Sequence, residues 1–189
     1  MARWEPDAAG RLRQAAMELF AERGYAVVTV AEIADRAGLT KRTFFNYFAD
    51  KREILFSGAK SFAASVIRHL DAADPSLGPI DAAVFALTRA GEELATYGTR
   101  EYAQFVRRLV ASAAELQERD LIKMAATAVA ISRSLQLRHV PERTATLAAE
   151  AAIAVFSVAY ADWIAGHDDD LDALMRISLA DLRRAVGVG

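Results

Sequence analysis

Within seven residues, Lys41, Arg42, Thr43, Asn46 and Tyr47 supply two positive charges, an amide and two hydroxyls. The guanidinium of an arginine fits guanine O6 and N7 in the DNA major groove, and an asparagine amide fits adenine N6 and N7. Lysine, threonine and tyrosine carry donors that phosphate oxygens accept. Against this, only weak carboxylate pairs such as Glu92-Glu93 offer other chemistry. The chain has no cysteine, which excludes thiolate catalysis, disulfides and cysteine-type zinc sites. His69, His139 and His167 lie in separate segments without Glu-x-x-His or His-x-x-x-His spacing, and read as surface or helix-end residues. Asp168, Asp169 and Asp170 are a run of neighbours rather than convergent ligands, so a loop with Asp169 or Asp170 capping the last helix is expected. No catalytic residue, metal site or cofactor is expected.

The charge is unevenly spread. Of 189 residues, 23 are Lys or Arg and 25 Asp or Glu, a net −2. Residues 36–52 hold Arg36, Lys41, Arg42, Lys51 and Arg52 against Asp50 alone, a local +4, whereas the chain beyond residue 55 has 14 basic and 17 acidic residues. A basic head precedes an acidic body. With 53% hydrophobic residues the chain is expected to fold as a globule. The most apolar stretch, 151–161, is about half a membrane span, and residues 1–20 hold six charges and no signal-peptide core. A cytoplasmic protein with no membrane partner is expected.

The elements that must position the polar cluster are helices. Apolar residues recur at helical spacing over 7–23, 51–73, 79–97, 99–110, 113–137, 141–166 and 170–186, and no stretch shows sustained strand alternation. Between 28 and 56 three helix starts follow closely. Thr29 with Glu32 makes a capping-box pattern, Thr40 is an N-cap, and Asp50 with Glu53 repeats the box. Gly38 can take the left-handed conformation that ends a helix sharply. The result is a helix over 30–37, a tight turn and a helix over 41–47, which is helix-turn-helix spacing. On the second helix Phe44, Tyr47 and Phe48 face the scaffold, Arg42 and Asn46 face away, and Thr43 and Phe45 flank them. Two cations in its first turn oppose the helix dipole, so something other than folding must favour them.

The run from Thr29 through Thr40-Lys41-Arg42-Thr43-Phe44-Phe45-Asn46-Tyr47-Phe48 to Leu55 resembles the signature of TetR-family transcriptional regulators. The preceding stretch from Ala15 to Tyr25 is similar to the family's first helix. This resemblance covers about 45 residues; the rest is similar only in length and helical character. It implies an all-α fold with a three-helix DNA-binding domain, 1–50, and a helical ligand-binding and dimerisation domain, 51–189. It places Thr40, Lys41, Arg42, Thr43, Phe45, Asn46 and Tyr47 on the recognition helix, with Arg42, Thr43 and Asn46 as the best candidates for base edges and Tyr47, Lys51 and Thr29 toward phosphates. Phe45 departs from the family's usual tyrosine; contact with a thymine methyl or a sugar would replace the lost phosphate hydrogen bond, and plain core packing is the alternative for Phe45 and Tyr47.

In the body, Ala152, Val155, Phe156, Ala159 and Trp163, followed by Leu171, Met175 and Leu182, recur at helical spacing. The resemblance implies that these two helices form the homodimer interface; the alternative is a larger internal core. Phe62, Phe85, Tyr97, Tyr102, Phe105 and Met124 fit either core positions or the lining of an apolar effector pocket, with Arg89, Arg107, Arg108 or Arg119 available for an anionic end. The functional expectation is a dimeric repressor that binds a palindrome in double-stranded DNA and is released by a small apolar or aromatic effector. The alternative is an all-α small-molecule carrier or enzyme without DNA binding.

Overall fold

The computed structural model describes residues 7–56, 59–96 and 99–187. Among the described residues every regular element is a helix: α1 (Ala8–Arg23), α2 (Val30–Arg36), α3 (Lys41–Tyr47), α4 (Lys51–Phe56), α5 (Ala59–Asp71), α6 (Pro79–Thr96), α7 (Arg100–Ala111), α8 (Ala114–Leu137), α9 (Glu142–Ala165) and α10 (Leu171–Ala185). Tyr97 and the 57–58 join within the expected 51–73 helix lie outside the described residues.

The chain forms two compact units, and they do not divide at residue 50. One is Met1–Gly58 with Val106–Asp120; the other is Ala59–Phe105 with Leu121–Gly189. Helix α4 stays with the first unit, where it packs on α1 and where Glu53 accepts a hydrogen bond from Arg119 Nε at 2.8 Å. The end of α7 and the start of α8 belong to it as well. A boundary drawn where the capping motifs end misses this returning segment.

In the first unit, α1 buries Leu12, Ala15, Ala16, Leu19 and Phe20, the i, i+3, i+4, i+7, i+8 stripe of an amphipathic helix. Helices α2, α3 and α4 pack on it. Val28 and Ile33, on either side of the α2 N-cap, are both buried. Their positions before the N-cap and four residues into the helix are those of a hydrophobic staple.

In the second unit, α5 packs on α6, and α6 packs on α9 and α10, which also pack on each other. Small residues allow this. Ala82, Ala83, Ala86, Ala90 and Gly91 are buried along α6. A Cβ at Gly91 would lie 2.8 Å from Leu171 Cδ2 and 3.0 Å from Phe156 Cε2. Asp170 caps α10 by accepting from the Ala173 N–H at 3.2 Å. Helix α9 is 24 residues long and apolar enough to cross a membrane by length and composition, longer than the half-span that 151–161 suggests. Its Ala145, Ala149, Ala152 and Ala159 are instead buried at 0–1% exposure in the core of this unit.

Candidate nucleic-acid interface

Three local devices build α2, the turn and α3. The Thr29 hydroxyl accepts from the Glu32 N–H at 3.3 Å, and the Thr29 N–H donates to Glu32 Oε2 at 2.8 Å, a reciprocal capping box. Gly38 sits at φ 66° in the turn. Its Leu39 neighbour donates its N–H to the Ala34 carbonyl at 2.8 Å, which ties the turn back to α2. Thr40 Oγ1 then accepts from the Thr43 N–H at 3.1 Å, and the two threonine hydroxyls lie 2.9 Å apart. Replacing such a cap with alanine costs about 1 kcal/mol.

Burial orients α3. Phe44 is fully buried and Phe48 nearly so, with ring centroids 5.6 Å apart. Lys41, Arg42, Phe45, Asn46 and Tyr47 are exposed, and Thr43 is half-buried. Tyr47, 48% exposed, therefore faces solvent rather than the scaffold.

The head's positive charge is largely spent inside the head. Arg36 donates from both terminal nitrogens to the Glu22 carboxylate, each at 2.9 Å, and reaches Glu18 at 3.5 Å. That guanidinium holds the Glu22 carboxyl below its ordinary pKa. Arg52 pairs with Asp50, whose Oδ1 also accepts the Arg52 and Glu53 N–H groups at 2.8 and 3.1 Å. Arg23 pairs with Glu32 at 2.6 Å, and this hydrogen bond, followed by those from Thr29, holds Glu32 down to about 2. Among the described residues, Lys41 and Arg42 are the cations of the 36–52 stretch that make no ion pair or hydrogen bond within the chain.

Lys51, expected at a phosphate, is engaged within the chain. Its ammonium donates to the carbonyls of Tyr25, Ala26 and Val28 at 2.9, 3.3 and 3.1 Å, and stands 4.1 Å from the centroid of the Tyr25 ring. An ammonium has three N–H donors, and all three have acceptors here. Burial pulls its pKa down, opposed by the charge of Glu115. Lys51 fastens the loop between α1 and α2 to α4.

The residues assigned to the dimer interface lie elsewhere than expected. Ala152, Val155, Phe156, Ala159, Trp163, Leu171 and Met175 are all buried within the second unit's own core, and Leu182 packs against it. The most apolar face of α9 covers α6 and α10 and is not free for a second copy. The outward face of α9 carries another pattern: Leu147, Ala151, Ala154, Val158, Ala161 and Ala165, at alternating spacings of four and three. On α10, Ala173, Ile177 and Ala180 repeat it. Leu147, Val158 and Ile177 are 65%, 56% and 55% exposed. The alternation was legible in the sequence, but alanine made it a weaker signal than the aromatic face.

Of the aromatics considered for an effector pocket, Phe62 is buried in the second unit's core, with Phe85 and Met124 packed against it. Phe105 is half-buried and Tyr102 exposed. Phe62 begins a row of rings, with Phe156, Tyr160 and Trp163 following at centroid separations of 5.4, 5.4 and 5.5 Å. Arg119 pairs with Glu53 in the first unit and Arg89 with Glu92 at 2.8 Å. An open groove of about 200 Å³ between α8 and α9 is lined by Ser132, Arg133, Gln136, Glu142, Thr146 and Glu150, together with Ala128 and Val129.

A family model described as "Bacterial regulatory proteins, tetR family" matches residues 12–57. The chain is 39% identical over 62 residues to the HTH-type transcriptional activator FasR of Mycolicibacterium smegmatis, a match spanning 33% of this chain and 25% of that protein. It is 33% identical over 73 residues to the HTH-type transcriptional repressor KstR2 of Mycobacterium tuberculosis, spanning 38% of this chain and 36% of that one. The matched segments thus cover a quarter to about a third of these curated relatives. The crystal structure of a TetR-family regulator from Syntrophomonas wolfei superposes with a TM-score of 0.64 at 17% identity, covering 97% of each chain. At 17% identity, that likeness is one of fold.

Proposed function

We propose that this chain, a TetR-family regulator by its residues 12–57 and by its fold, binds operator DNA as a homodimer and represses transcription until a small effector releases it. One observation carries the DNA role: Lys41 and Arg42 are exposed and unpaired at the start of a helix whose dipole disfavours them, beside exposed Asn46. A fold that satisfies Arg36, Lys51 and Arg52 internally leaves these two for a partner outside the chain. Helix α3 enters the major groove, with Arg42 and Asn46 on base edges and Lys41, Thr43 and Tyr47 at its flanks. Thr29 and Thr40 act through the caps that set the angle of α2 and α3.

The partner copy docks on the outward seams of α9 and α10. A two-fold operation brings each seam onto its equivalent, and alanines let the four helices approach closely. Two heads then meet two half-sites of a palindrome. Effector binding in the second unit, among apolar and aromatic side chains such as Phe62, Phe85 and Phe105, favours a dimer that no longer fits both half-sites. No catalytic role follows from these side chains, and the site of action is the cytoplasm, with the DNA.

The test is selection of duplexes from a random pool by the full-length protein, followed by binding measurements at several salt concentrations. Arg42→Ala and Asn46→Ala should each relax preference at particular positions, with a loss of about 1–3 kcal/mol per base contact. Binding that ignores sequence in the wild type, or equal losses at every position in both variants, overturns the reading.

A further inference from the structure

Helix α3 carries one exposed side chain that neither folding nor charge accounts for. Phe45 is 56% exposed in a helix of seven residues whose opposite side already buries Phe44 and Phe48. A large apolar ring left in water gains nothing for stability. The ring is nevertheless held in place: it stands edge-on to Phe44, with centroids 5.4 Å apart and planes at 79°, a favoured aromatic arrangement. Its neighbours three and four residues back are Arg42 and Lys41, and the next residue is Asn46, so it shares the outward half of α3 with them.

We propose that Phe45 is a specificity-determining residue that reads the C5-methyl group of a thymine in each half-site. The inference rests on α3 being the DNA-reading helix and adds the identity of one base it reads. The sugar-phosphate backbone is recognised by cations and hydrogen-bond donors. A phenyl ring has neither, and set against a phosphate it would strip water from an anion without replacing it. Base edges in the major groove offer a single apolar group, the thymine methyl. A ring whose orientation is fixed by Phe44 meets that methyl without losing further side-chain freedom.

The experiment uses the full-length protein and a duplex it selects from a random pool. Each thymine is replaced in turn by deoxyuridine, which removes the methyl and keeps the base pair. Burying one methyl group predicts weakening of about fourfold at one position per half-site, and about fifteenfold when both half-sites are changed. Phe45→Ala, a change at an exposed position, should bind the thymine and uracil duplexes equally while keeping its preference at the other positions. Two results overturn the inference alone: a selected duplex with no uracil-sensitive thymine, or a sensitivity that persists unchanged in Phe45→Ala. If the wild type selects no sequence from the pool, the DNA-regulator reading fails first and this inference falls with it.

Discussion

Lys51→Met removes the ammonium and keeps most of the aliphatic stem, so it isolates what the charge does. The wild-type Nζ donates to three carbonyls at 2.9–3.3 Å and lies against the Tyr25 ring. A hydrogen bond from a charged donor contributes about 1.5–3 kcal/mol, and a cation–π contact at a partly exposed site about 0.5–1 kcal/mol. These do not add in full. One ammonium cannot align ideally with three oxygens, and the freed carbonyls near the surface regain water. We expect a loss of about 2–4 kcal/mol, which for a chain of this length lowers Tm by roughly 5–15 °C. Scanning calorimetry or thermal circular dichroism reads it. The same variant is then titrated with salt on a selected duplex, at a temperature where it is folded. A fastening lysine leaves the slope of log Kobs against log salt as it was, whereas loss of a phosphate contact flattens it by about 0.9 per contact. A variant with wild-type Tm and a flattened slope refutes the structural role and restores the phosphate role.

Acid stability should report on Glu93, whose hydrogen bonds from Ser65, then His69, then Arg68 hold it down to about 2. Because the folded pKa lies below the unfolded value, its contribution is full above about 4.5 and is lost as pH falls toward 2. Glu93→Gln should therefore lower Tm at pH 6 and flatten the decline between pH 5 and 2; parallel profiles for the two proteins would count against the assignment. For assembly, Val158→Glu and Ile177→Glu should yield folded monomers by light scattering, since each places a charge on the outward seam. Trp163→Glu, 7% exposed in the core, should instead unfold the second unit by burying an unpaired charge. A folded dimer from Val158→Glu together with a folded monomer from Trp163→Glu would reverse the assignment of the two faces.

What was legible in the sequence is what is decided within a few residues. Thr29 with Glu32, Gly38 and Thr40 define α2, the turn and α3 because a cap and a left-handed glycine act on the adjacent backbone, whatever the rest of the chain does. The stripe from Leu12 to Phe20 is legible for the same reason, as periodicity along one helix. What stayed hidden depends on distant partners. The pairing of Lys51 with carbonyls at 25, 26 and 28 spans more than twenty residues. The return of 106–120 to the first unit turns on contacts such as Arg119 with Glu53, 66 residues apart. The expected dimer face shows a further limit. A helix apolar nearly all round tells which faces must be covered, but not by whom. The face richest in aromatics goes to the chain's own core, because Phe156 and Trp163 gain most from complete burial, and the alanine seam is left outside.

A count of charged residues also differs from a count of charges available to a partner. By formula the 36–52 stretch is +4, which taken alone would make it a general polyanion binder with a steep salt dependence. Arg36 and Arg52 are paired with carboxylates and Lys51 with carbonyls, so two unengaged cations remain on the reading face. Each phosphate contact contributes about 0.9 to the salt slope. Under the proposed function, a head that offers few such contacts would bind random DNA weakly and draw more of its operator affinity from base edges and from pairing two heads on one duplex. On the proposed reading, the outward seam of α9 and α10 and the polar face of α3 would be parts of one design: neither half-site would hold a single head tightly, and an effector would need only to spoil their joint fit to release both.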